Sequence, residues 1–159
     1  MTFPVLSTEQ LQTRIVKMEK QILLREQTDC PMHHWLEGEY YYRAILIRRG
    51  MLITGARHRL EHECIAIGDI LVSTDLGLKR IRGYTRLWAE AGKKRIGFAL
   101  QDTIWVTVHW TDQSSLERIE EWLSYPEEHK ALAAVRARRN SRTLQRSNLP
   151  ELTAQVQAH

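Results

Sequence analysis

The chain has 159 residues, 43% of them hydrophobic, and 23 Lys and Arg against 19 Asp and Glu give a formal net charge of +4. That length suits one domain able to bury a core without covalent staples, and so small a basic excess falls short of a dedicated nucleic-acid binder while leaving acidic small molecules as partners. With only Cys30 and Cys64 there is no disulfide framework, the N-terminus lacks a charged-then-apolar leader pattern and no apolar run approaches the roughly 20 residues that span a bilayer, so a soluble protein of a reducing cytoplasm is expected.

Residues 1–28 are read as an N-terminal helix. Ser7 and Gln10 form a capping-box pair, and Leu11, Ile15, Met18 and Ile22 follow at helical spacing. That seam packs on the domain body or on a second copy of the chain. Asp29 to Gly38, punctuated by Pro31 and Gly38, reads as a connecting loop. It holds Cys30, His33 and His34, three metal-ligating types with no fourth nearby, so an anchoring loop is preferred to a zinc site.

Residues 29–124 form the body. From Glu39 to Trp110 the pattern changes to short β-prone runs: Tyr40 to Arg48, Met51 to Ala56, Glu63 to Ile67, Ile70 to Thr74, Leu78 to Arg82, Tyr84 to Ala89, Arg95 to Leu100 and Thr103 to Trp110. Turns are placed at Arg49-Gly50, Gly68-Asp69, Asp75 to Gly77, Gly83 and Glu90 to Gly92. Strands at this spacing predict a mainly β fold with flanking helices, an antiparallel jelly-roll barrel or sandwich. In the last strand Trp105, Thr107 and His109 share one face and Ile104, Val106 and Val108 the other, and either face suits the interior. Tyr40, Tyr41 and Tyr42 alternate faces and so make no continuous stacking platform. Ser114 or Ser115 caps a short closing helix with Leu116, Ile119, Trp122 and Leu123 on one side, stopped at Ser124 to Pro126.

Residues 125–159 are read as a basic helical extension. Arg136, Arg139, Arg142 and Arg146 give it a row of cations suited to phosphates. No aromatic residue is interleaved for base stacking, so a solvated face, or pairing with a partner subunit, is preferred to nucleic-acid binding.

The densest group of chemically capable side chains is Gly55 to Asp69, with His58, Glu61 and His62 ahead of an apolar run. Imidazole and carboxylate suit a metal, proton transfer or an anionic ligand. A jelly roll can bring His58, Glu61, His62, Arg95 and His109 to one mouth, with Arg43 and Trp105 on neighbouring strands. Arg grips phosphate or carboxylate bidentately and Trp stacks on a ring, so the set is read as a ligand site for an anion, catalysis being left unassigned. A metal, if bound, falls to His58, His62, Glu61 and His109, but Arg95 sets a fixed positive charge beside it. Arg95 is read as marking an anion site, with Glu61 as the carboxylate of the chain itself that it would pair with in a structural role instead. There is no nucleophile elbow, phosphate-cradling loop or dinucleotide fingerprint.

These residues resemble the cupin superfamily. Its first motif ends in Glu-x6-Gly, matched by Glu61 and Gly68, although His58 stands three residues before Glu61 and no His-x-His pair exists. Its second motif is approached by Glu90-Ala91-Gly92-Lys93-Lys94-Arg95, with Arg95 in the place of the metal-binding histidine. The chain is similar over a longer span to small cupin-like proteins of tailed bacteriophages, a group without an assigned activity. The shared residues are His34-Trp35-x2-Gly38-x-Tyr40 and Arg43, Thr54-Gly55-x2-His58-x3-His62, Gly92-x2-Arg95-x-Gly97 and Asp102-Thr103-x-Trp105-x-Thr107-x-His109. The resemblance implies a jelly-roll body and a phage or prophage protein acting in the cytoplasm of the bacterial host. The expected function is a homo-oligomeric binding protein that holds a small anionic or nucleotide-like ligand, or a host factor, for host takeover or anti-defence. No cofactor is needed for that role. The alternatives are a metal-dependent cupin enzyme of isomerase, hydrolase or oxygenase type, and a structural or assembly protein of the virion.

Overall fold

In a computed structural model, which describes residues 6–28 and 30–125, the elements run in the order α1 (Thr8–Leu23), β1 (Met32–Glu37), β2 (Tyr40–Ile47), β3 (Leu52–Thr54), β4 (His62–Thr74), β5 (Gly77–Ala89), β6 (Ile96–Ala99), β7 (Thr103–Trp110) and α2 (Leu116–Leu123). The arginines of the basic extension, Arg136, Arg139, Arg142 and Arg146, lie outside the described residues.

All strand pairs are antiparallel, and β1-β2-β7-β4-β6-β3 form one curled sheet with β5 hydrogen-bonded along β4. The long strand β4 is its spine. One edge pairs with β5 from His62 to Thr74, while the other pairs first with β7 (Glu63 to Ile67) and then with β6 (Ile70 to Val72). The change of neighbour happens at Gly68, whose φ is 147° and where an added Cβ would lie 2.5 Å from Thr103 Oγ1 and 2.7 Å from the Asp102 carbonyl. Only glycine lets the β6–β7 turn cross the strand so closely. The turn is tied there by Leu100 N and Gln101 N donating to the Asp69 carbonyl, at 2.8 and 3.1 Å, and by Asp69 N donating to Thr103 Oγ1 at 3.1 Å.

The jelly-roll-type architecture expected from sequence is observed, with two local corrections. Gly68 and Gly83 lie opposite each other inside one continuous β4–β5 ribbon and are not turns between separate strands, because each supplies a special φ without breaking the ladder. The segment read as a loop at Asp29 to Gly38 contains β1. Pro31 sits just before it and Gly38, at φ 60°, takes the first position of a two-residue hairpin turn, so both punctuating residues flank the strand. Cys30, His33 and His34 accordingly do not converge: Cys30 is buried, His33 stacks on Trp35, and His34 Nδ1 lies 3.2 Å from the Tyr41 hydroxyl.

Helix α1 starts at the expected capping box, with both Ser7–Gln10 hydrogen bonds made. It packs on the body by a face one position away from the apolar seam: Ile15 is buried but Met18 is exposed. Gln12 exchanges two hydrogen bonds with the Lys94 backbone, and Glu19 binds the fully buried Lys94 ammonium at 2.8 Å and the Thr54 hydroxyl at 3.0 Å. Removing a carboxylate from a buried ammonium costs stability even where other contacts to that ammonium remain. Glu19→Ala should therefore destabilise the protein by about 3–5 kcal/mol in denaturant unfolding, whereas Met18→Ala, on the same helix but outside the contact, should stay within about 0.5 kcal/mol.

Candidate functional site

Side-chain alternation orders the concave face of the sheet into rungs. The first holds Tyr41, His109 and, at the start of β4, His62; the second holds Arg43, Thr107 and Cys64; the third holds Ile45, Trp105 and Ala66. The Trp105-Thr107-His109 face is thus the one that looks into the fold. The opposite face of β7 packs Ile104 and Val106 with Ala44 and Leu46. Tyr41 is buried against Ile119 and Leu123 of α2 at the first rung, while Tyr40 is exposed on the other face.

Helix α2 has a second effect. Its C-terminus fixes the loop between β3 and β4, since Arg59 N donates to the Leu123 carbonyl at 2.8 Å and His58 forms a β-bridge with Ser124. Gly92 N holds the same loop from the other side by donating to the His58 carbonyl at 2.8 Å. Thus His58 is delivered against the first rung. His58 Nδ1 and His109 Nε2 are 2.8 Å apart with their rings nearly parallel, and the His62 ring lies 4.1 Å from that of His109 and 4.5 Å from that of His58. One nitrogen from each ring falls within 4.8 Å of the others, and this is the sole group of three or more potential metal ligands among the described residues.

These imidazoles are held neutral. Burial lowers the pKa of His58 to about 3, helped by His62 and Arg43, and that of His109 to about 2, helped by His62, His58 and Arg43. His62 is lowered as well, by burial and by Arg95, although the Leu60 carbonyl opposes the shift. A neutral ring with a bare nitrogen is the metal-binding form. The Leu60 carbonyl, 3.1 Å from His62 Nδ1, takes that N–H and leaves Nε2 as the free lone pair. At 2.8 Å, His58 Nδ1 and His109 Nε2 share one hydrogen, so an ion would take the place of that proton as the two rings part. The three residues fit a metal ion on donor type and convergence. His109 Nδ1 is the exception to outer-shell support, being buried with no hydrogen-bond partner among the described residues.

The rungs below the histidines wall a cavity of about 110 Å³, lined by His58, His62, Cys64, Arg43 and Thr107 towards the histidines and by Trp105, Ile45, Ile47, Ile70 and Val72 further in. That volume accommodates several waters or one small organic molecule. Arg95 also lines it, and its guanidinium donates to the Trp88 carbonyl at 2.9 Å. Of the sequence candidates, Arg43, His58, His62, Arg95 and Trp105 line the cavity and His109 backs it through His58 and His62. Glu61 is not among them: it precedes inward-facing His62, so it faces out, where its carboxylate accepts from Trp88 Nε1 at 3.3 Å. No Arg95–Glu61 ion pair forms among the described residues, so the structural pairing offered as the alternative role of Arg95 is not made. Cys64 and Thr107 are polar cavity residues on the histidine strands that were missed in sequence. Their signal was the two-residue step from His62 and from His109. Burial pushes the Cys64 thiol up to about 12, so it stays protonated.

No protein-family model matches the sequence, and neither does any curated protein. Among solved structures the chain is similar to cupin-domain proteins. The cupin domain of an XRE-family transcriptional regulator from Enterobacter cloacae aligns at 11% identity and TM-score 0.43, over 52% of this chain and 98% of that one. A cupin superfamily protein from Desulfitobacterium hafniense aligns at 9% and 0.44, over 55% and 83%, and ectoine synthase from P. lautus at 16% and 0.47, over 64% and 78%. Likenesses at this level concern sheet architecture and carry nothing about activity. No described helix is long and apolar enough to cross a membrane.

The depressed histidines set a pH dependence. Below the ordinary value of 6.5 the unfolded chain binds protons that the folded site refuses, so stability is full above pH 6.5 and falls as pH drops towards about 3, in the metal-free protein. The melting temperature should be lower at pH 5 than at pH 7.5, and His109→Gln should flatten that slope; a wild-type slope unchanged in the variant would contradict the assignment.

Proposed function

We propose that this protein is a metal-dependent small-molecule cupin, in which His58, His62 and His109 hold one divalent transition-metal ion at the histidine end of the cavity and a small ligand occupies the space beside it. The observation that carries this reading is the convergence of three neutral imidazoles, two buried and one half-buried, at one end of a cavity whose other end is apolar. An all-imidazole set suits zinc, iron, nickel or copper better than magnesium or calcium. Such an ion supplies Lewis acidity, polarising an oxygen of whatever sits next to it.

The chain's own residues supply the rest. Leu60 fixes the His62 tautomer, and α2 and Gly92 pin the loop that carries His58. The protonated Cys64 thiol neither competes as a thiolate ligand nor acts as a nucleophile. Isoleucines along β2 and β4 limit the water in the cavity, which strengthens polar contacts made there. With Glu61 outside, the ligand set is three nitrogens with no carboxylate, so positions around the ion are left for the ligand. Action in a phage-infected bacterial host, as a self-associating protein, is the setting that the sequence resemblance favours, and it rests on that resemblance alone.

Elemental analysis of protein purified without chelator, and Co²⁺ absorption of the reloaded apoprotein, test the assignment. One ion per chain is expected. Any of His58→Gln, His62→Gln or His109→Gln should weaken it by more than the roughly 10–100-fold that loss of an outer-shell partner costs, and Glu61→Gln should leave affinity unchanged. A wild-type chain that takes up no metal at micromolar concentration, or binds equally well without His109, would overturn the reading.

A further inference from the structure

Arg43 is the cavity residue that the histidine cluster leaves unexplained. Its side chain rises from the inner face of β2 on the second rung, half-buried, and its charge is felt by both His58 and His109. A guanidinium stays charged at every relevant pH, and in such a place it usually faces a carboxylate. Among the described residues Arg43 has no ion pair and no side-chain hydrogen bond. The one acid that lines the cavity, Glu90, is taken by Lys93 at 2.5 Å, and Lys93 is shared with Asp75 at 2.6 Å. Directly across the ladder from Arg43 stands Thr107, whose hydroxyl is buried at the cavity wall with no partner among the described residues. An unneutralised cation and an unused hydroxyl therefore arise from paired positions on one rung and both line the cavity. The next rungs are hydrocarbon, with Ile45 and Ile47 on β2 and Ile70 and Val72 on β4.

We propose that the cavity binds a small aliphatic monocarboxylate, its carboxylate held between the Arg43 guanidinium and the Thr107 hydroxyl and its hydrocarbon part lying against Ile45, Ile47, Ile70 and Val72. The inference rests on reading the cavity as a small-molecule site and is independent of what the histidines hold. A planar two-oxygen anion matches one guanidinium fork and one hydroxyl. A phosphate would leave oxygens unpaired against isoleucine, and a nucleotide would have to leave most of its atoms outside a cavity of about 110 Å³.

Chelator-treated protein is titrated by calorimetry with butanoate, pentanoate and hexanoate, with the matching alcohols, and with inorganic phosphate and adenosine monophosphate. Carboxylates are expected to bind, more tightly as the chain lengthens until the cavity is full, and each alcohol at least about tenfold more weakly than its acid. Arg43→Met should abolish carboxylate binding while raising the melting temperature of the ligand-free protein, because an unneutralised half-buried charge is removed. Arg43→Lys should restore part of the binding, and Thr107→Val should weaken it without lowering the melting temperature. Alcohols binding as tightly as acids, phosphate or the nucleotide binding in preference, or carboxylates failing to bind both the metal-free and the Co²⁺-loaded protein would each overturn the proposal. A lower melting temperature in Arg43→Met would assign Arg43 to the scaffold instead and overturn it too. Carboxylate binding by a chain that takes up no metal would leave this inference standing and refute the metal assignment.

Discussion

The structure depends on one strand changing partners in mid-course. β4 must keep β5 along its full length while exchanging β7 for β6 on its other edge, and the exchange is allowed because residue 68 has no side chain to strike Thr103. Because the ladder continues through Gly68, the alternation of β4 is never reset. His62, Cys64, Ala66, Ile70 and Val72 all remain on the concave side, and a single strand supplies both the polar and the apolar ends of the cavity.

That unbroken alternation grades the cavity by chemistry. Successive rungs lie about 7 Å apart along the strands, and they pass from histidines, through Arg43, Thr107 and Cys64, to isoleucine and tryptophan. Burial at the histidine end removes protons from the imidazoles, and the two guanidinium groups act in the same direction. The cavity thus offers neutral nitrogens and fixed positive charge with no free carboxylate of its own. On the proposed reading such a wall would favour small electron-rich or anionic guests.

Much of this was legible in the residues. The Ser7 capping box, the apolar residues of α2 and the alternation of Thr103 to Trp110 are local patterns, and each gave an element where it stands. The body's curled antiparallel sheet followed from strand spacing. Local pattern could not reveal that Gly68 and Gly83 are kinks within one ribbon, since glycine punctuates turns and bends alike. The same ambiguity hid β1 between Pro31 and Gly38. At the site, His58 and His62 share a short segment, but His109 meets them only through the β4–β7 register and the grip of α2 on the intervening loop. Glu61 was misplaced for a simple reason: next to an inward His62 it has to point outward. Arg95 and His109 were both legible as candidates by residue type, and only the fold shows that His109, not Arg95, joins His58 and His62.

The central claim is that His58, His62 and His109 form one metal-binding unit. Anomalous diffraction from crystals of the protein loaded with zinc or cobalt, collected on both sides of the metal absorption edge, tests it most directly. The account predicts a single strong peak about 2.0–2.2 Å from one nitrogen of each of the three histidines, with Glu61 still on Trp88. A hydrogen-bonded His58–His109 pair with no peak beside it, or a peak held by other side chains, would contradict it.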